Sequence, residues 1–136
     1  MYEPIRTKSV HTMTEPGPGV PHRSREEELD IQLAGHLTAL LTVTDELRAL
    51  APAPTLDDAA QRLADRVTRL RAGRAPLRAA PTTTSATPAH IAALHQRAHT
   101  LAGRALVVAT SRGDATATAL AAERLESHAA ALGIGG

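Results

Sequence analysis

Histidine is the reactive side chain whose placement in this sequence suggests chemistry, with seven in 136 residues. His95 and His99 are four apart, so on a helix both imidazoles share a face and can reach one divalent cation. His36 borders one apolar stripe and His128 falls on another. Rings from different helices that converge in a bundle interior would form a nitrogen-only site at His36, His95, His99 and His128. The carboxylate-bridged di-iron arrangement is excluded, because no helical glutamate is followed three positions later by histidine. An H-x-x-x-H pair without carboxylate or thiolate companions does not specify a ligand set. The expectation is therefore no metal and no cofactor, with those four histidines as the alternative.

Two resemblances bear on the same residues. A histidine cluster inside four helices is similar in geometry to the DinB-like metal-binding bundles. The segment Ala98-His99-Thr100-Leu101-Ala102-Gly103 resembles the A-H-x-L-K-G segment of histidine phosphotransfer domains, which are also four-helix bundles. That resemblance implies a phosphoryl-accepting His99 and a Gly103 that lets a response regulator approach. It covers six residues, and the family's lysine is replaced by Ala102. Loss of that cation removes the main electrostatic support for a phosphoryl group, unless Arg97 or Arg104 supplies part of it.

Other chemistries fall away. Cysteine is absent, which rules out thiolate ligands, thiol nucleophiles and disulfide scaffolds. No G-x-S-x-G elbow and no glycine-rich phosphate loop occurs. Phe and Trp are missing and Tyr2 is the sole Tyr, so no platform exists on which bases could stack. A formal charge of +1 offers no field for nucleic acid or an anionic membrane. Arg112-Gly113-Asp114 spells an integrin-binding tripeptide, but it reads as a helix stop, a turn and the next cap. No residue is assigned a catalytic role.

The elements that must position these residues are helical. Ser24 and Glu27 form an S-x-x-E capping box ahead of Leu29, Leu33, Leu37, Leu40, Leu41, Val43 and Leu47, spaced mostly by threes and fours; this predicts a helix over 25–49, stopped by Pro52 and Pro54. Thr55, with Asp58 three residues on, is the expected cap of a second helix over 55–72. Its seam is Leu56, Ala60, Leu63, Val67 and Leu70, and Gly73 is its stop. Thr87-Pro88 opens a third helix over 88–112, with Ile91, Leu94, Ala98, Leu101, Ala105 and Val108 facing inward. Asp114 caps a fourth over 115–132 with Ala117, Ala121, Leu125, His128 and Leu132 inward, and Gly133-Ile134 closes it. The order long, short, long, short, with short turns inside each pair, predicts an all-α antiparallel four-helix bundle built from two hairpins. It occupies residues 24–136 as a single domain, and the low-complexity stretch 73–87 connects the hairpins. Residues 1–23, with four prolines and two glycines, read as a flexible tail, disordered or loosely docked through MYEPIRTKSVH.

Charge is divided among the helices. Residues 24–50 sum to −4, 55–74 to +2, 89–113 to +3 and 114–136 to −2, a pattern that lets acidic and basic helices neutralise one another. Leu41, Val43, Leu106, Val107 and Leu120 lie beside the assigned seams and make the apolar faces wider than one bundle needs, which predicts self-association as a dimer. No run approaches the length of a membrane-spanning helix and no secretory h-region precedes the first helix, so the cytoplasm is the expected compartment. A single Lys beside abundant Ala and Arg fits high-GC bacterial coding. The sequence thus points to a non-catalytic small helical protein that acts through a second copy of itself or another protein, without nucleic acid or membrane. A histidine metal-binding bundle and a phosphotransfer-like module using His99 are the alternatives.

Overall fold

A computed structural model describes residues 24–81 and 85–134, and the flexible tail expected over residues 1–23 lies outside the described residues. Four helices carry the chain: α1 (Arg25–Leu50), α2 (Pro54–Leu70), α3 (Pro88–Arg112) and α4 (Ala115–Leu132). Among the described residues there is no strand. The architecture is the expected all-α bundle of two hairpins.

Local chemistry explains most of the boundaries. The Ser24 hydroxyl accepts from the Glu27 amide and the Glu27 carboxylate accepts from the Ser24 amide, at 3.1 and 2.8 Å, which closes a reciprocal capping box. Thr87 and Asp114 each accept from the amide three residues on. Gly113 and Gly133 take left-handed backbone, φ +77° and +76°, and the residue after each donates back to Ala109 and Ala129. The glycines themselves donate to Thr110 and Ala130, which completes the two bonds of a Schellman ending at each helix, and at the first of them Asp114 both terminates α3 and caps α4. The expected cap of α2 is corrected. The helix starts one residue earlier, with Ala53 at the cap and Pro54 at the first helical position, and no side chain caps it. Proline's fixed φ already suits that position, and its missing N–H removes a donor that would otherwise need a partner.

The ion pairs fix the directions of the helices. Arg48 near the end of α1 meets Asp57 at the start of α2, at 2.8 Å. Arg112 at the end of α3 meets Asp30 in α1 at 3.0 Å, so α3 runs against α1. Arg66 and Arg62 of α2 meet Asp114 and Glu123 of α4 at 2.8 and 2.6 Å, so α4 runs against α2. Around the bundle the order is α2, α1, α3, α4. The α1–α2, α1–α3 and α3–α4 seams are extensive, whereas α2 and α4 barely touch. Every neighbouring pair is antiparallel, but α3 starts at the end opposite to where α2 stops. The connection after α2 must therefore run back along the bundle, about 25 Å for a helix of this length. It is tied down on the way: Pro76 is buried and Arg78 makes two hydrogen bonds to Asp45 of α1, at 3.1 and 2.8 Å. Burial raises the Asp45 pKa, but its bonds to Arg78 and Arg48 outweigh this and hold it below the usual carboxylate value.

The core is built from large residues of α1 against small ones elsewhere. Leu33, Leu37, Leu40, Leu41 and Leu47 are at most 1% exposed, while four of the six buried residues of α3 and three of the four buried apolar residues of α4 are alanine. Leu63, Val67, Leu94 and Leu101 are buried as expected, but Leu125 and Leu132 are only half-buried. Their expected places in the α4 seam are taken by Leu120 and Arg124, a rotation that places Ala117, Leu120, Ala121, Arg124 and His128 on the inner face. Leu41, Val43 and Leu120 also lie inside the bundle. The apolar surplus reduces to the half-buried Leu106 and to Val107, which is 66% exposed. Because the cap and the core act independently, they predict different losses in urea denaturation. Leu37→Ala removes about 2–5 kcal/mol of stability, and Ser24→Ala removes about 0.5–2 kcal/mol. Equal small losses from both would contradict the packing.

Candidate functional site

Three of the four sequence-selected histidines come together, at the end of the bundle where α3 begins and α4 ends. His95 is half-buried on α3, and His128 is 1% exposed on α4. Their Nδ1 atoms are 2.9 Å apart and their rings are tilted by 49°. His99, one turn after His95, is close enough to His128 for its charge to act on it. His36, half-buried on α1, joins none of these contacts.

The residue that sequence reasoning missed is Arg124. It is 3% exposed, one turn before His128, with its Nη2 3.5 Å from His128 Nε2. No carboxylate lies within ordinary hydrogen-bond reach: the nearest is Glu123 Oε1, 4.0 Å from Nη1, and the Arg124 Nε has no partner among the described residues. A buried guanidinium whose nearest counter-ion stands beyond hydrogen-bond reach is costly, and burial lowers its pKa from the ordinary value. The available signal was spacing, since Arg124 stands four residues before His128 and three after Ala121. A charged residue on an apolar seam is ordinarily read as its edge, and Leu125 next to it offered an easier assignment.

Arg124 dictates the protonation of the histidines. A guanidinium only donates, so His128 Nε2 must accept. Its proton then lies on Nδ1, which donates to Nδ1 of His95, and the proton of His95 lies on Nε2. The result is a directed chain, Arg124 to His128 to His95, that works only while both imidazoles are neutral. Burial, then Arg124, His95 and His99, push the His128 pKa from the ordinary 6.5 down to about 3. Burial, then Arg124, lower that of His95. A cation near the C-terminus of α4 would be favoured by the helix dipole, but desolvation and Arg124 outweigh it. In the unfolded chain His128 takes up a proton below about pH 6.5, whereas in the folded protein it does not until about pH 3. Folding stability is thus complete above the upper value and falls steadily as the pH drops from there.

This arrangement suits a neutral hydrogen-bonded bridge and does not suit a metal. Among the described residues no group of three His, Cys, Asp or Glu side chains could hold an ion, and the adjacent guanidinium opposes a dication. The phosphotransfer-like segment is also placed differently from what its resemblance implies. Ala102, at the lysine position, is fully buried, and Arg97 and Arg104 point to solvent. A Cβ on Gly103 would touch Leu125 of α4 at 3.8 Å, so the glycine lies along the α3–α4 seam. The surface grooves lie elsewhere. The largest described, about 740 Å³, runs between α2 and α4 and is lined by Arg62, Arg66, Arg69, Ala119, Leu120 and Glu123 among others.

No protein-family model, curated protein or solved structure matches this chain. Its chemistry has to be argued from its own residues. A buried arginine whose nearest carboxylate stands 4.0 Å away is a group that an apolar chain replaces at little cost. Arg124→Met therefore keeps or raises the thermal midpoint at pH 7.5, and a loss of about 3 kcal/mol or more would show that its pairing with Glu123 is strong.

Proposed function

We propose that this chain is a non-catalytic helical protein that acts through protein contacts, first of all with a second copy of itself. The observation that carries the reading is the open seam between α2 and α4. The other three helix pairs pack closely, while this one leaves a groove with Ala119 and Leu120 on its floor and Arg62, Arg66, Arg69, Asp65 and Glu123 along its sides. An apolar floor with charged rims is the form in which one helix accepts another. The two edges carry opposite net charge: +2 for residues 55–74 and −2 for residues 114–136. Within one chain Arg62 and Arg66 already pair with Glu123 and Asp114 across this seam, so a twofold contact that lays α2 of each copy along α4 of the other would share those pairs between copies over the exposed Ala119. The grooves are also separate from the histidines with shifted pKa, whereas a catalytic centre joins a cleft to such groups.

Compartment and membrane follow the same reading. No helix of the described residues is long and apolar enough to cross a membrane. A cysteine-free chain with interhelical ion pairs suits the cytoplasm.

Sedimentation equilibrium tests the proposal. The expected result is a dimer at protein concentrations of tens of micromolar. Ala119 is exposed on the groove floor, so Ala119→Arg leaves helix content unchanged and yields a monomer. A wild-type monomer at those concentrations, or a dimer indifferent to Ala119→Arg, would contradict the assignment.

A further inference from the structure

We propose that the His95–His128 bridge is a proton-operated latch, which holds the last two turns of α4 on α3 at neutral pH and loosens that hold on mild acidification. Little else holds that segment. α4 makes no direct packing with α1 and little with α2, so its attachment is to α3. Beyond Arg124 it buries only His128 and Ala129, while Leu125 and Leu132 are half-buried and Ala130 and Ala131 are exposed. His128 is the largest fully buried side chain of α4. A segment whose chief anchor is an imidazole depends on the hydrogen bonds of that imidazole.

Those bonds fail when a proton arrives. His95 is the solvent-facing member of the chain, and its Nδ1 accepts from His128. Protonation of that atom sets two N–H groups against each other at 2.9 Å and adds a second cation beside Arg124. The charged groups that act on the pair are known from each side. α3 contributes His99, and α4 contributes Arg124. Behind Arg124 stand Glu123 of α4 with Arg62 and Asp58 of α2. α1 supplies none among the described residues. The two carboxylates act on Arg124 and not on the imidazoles, so no anion is placed to shelter a protonated ring. Release relieves this by letting both histidines reach water, and it uncovers Leu94 and Ala98 of α3 as a new apolar strip. The latch does not depend on the dimer reading, since it concerns the far end of α4 and is read from one chain.

Amide hydrogen exchange on the full-length protein, compared at pH 7.5 and 5.0 after correction for the intrinsic rates, tests it. Each imidazole that is neutral when latched and has an ordinary pKa when free favours opening by about thirtyfold at pH 5.0. Protection of amides 125–132 should fall by at least that factor, while amides 37–47 of α1 remain the more slowly exchanging set at both pH values. His128→Leu and His128→Gln take away both the N–H that opposes a proton on His95 Nδ1 and the proton uptake of His128 itself, so in whichever variant folds the ratio should shrink to about threefold or less. Three results would overturn the latch: no pH effect on amides 125–132, equal protection of α4 and α1 at pH 5.0, which would mean only global unfolding, or a full thirtyfold ratio in a folded His128 variant.

Discussion

The whole bundle depends on the contact between the leucines of α1 and the alanines of α3, with α4 packed on the other side of α3. Five leucines of α1 are essentially inaccessible to solvent, and they fill the space that small residues on the other helices leave open. Without Phe or Trp, no single side chain can bridge the interior, so the helices have to approach closely. α1 and α3 do so along nearly their full length. α2 and α4 do not, and the open seam between them follows from the same shortage of large residues.

A core of this kind has few places for a long polar side chain, and Arg124 takes one of them. Its burial decides the state of everything nearby. It forces His128 to accept at Nε2, which orients the bridge to His95, and its charge adds to the burial that keeps both rings neutral. The charged residues that do have partners are at the surface. There Arg62, Arg66, Arg48 and Arg112 pair across helices and set the antiparallel order, and Arg78 ties the connection to α1, which contributes more to specificity than to stability.

Much of this fold was legible in the sequence because its boundaries are written in cap chemistry. Ser24 with Glu27, Thr87 with Pro88, and Gly113 with Asp114 are local signals that tertiary packing does not override. α2 was misjudged by one residue, because Thr55 looks like a cap while Pro54 needs none. The surplus of apolar residues was overestimated for a packing reason: alanine partners make room for Leu41, Val43 and Leu120 inside. The candidate site was half legible. Spacing selected His95, His99 and His128, but pairing an α3 residue with an α4 residue depends on helix rotation, which periodicity fixes only when the apolar stripe is unambiguous. In α4 it is not, since Leu125 and Leu132 share one face, Leu120 points to another, and alanine is compatible with both.

The central claim is that His128 is a neutral, buried donor fixed by Arg124. Imidazole nitrogen chemical shifts measured through a pH titration of the uniformly labelled protein test it directly. The account predicts that His128 holds its proton on Nδ1 at pH 7 and titrates far below the ordinary 6.5, toward about 3. A His128 that carries its proton on Nε2, or that titrates near 6.5 while the protein remains folded, would contradict it.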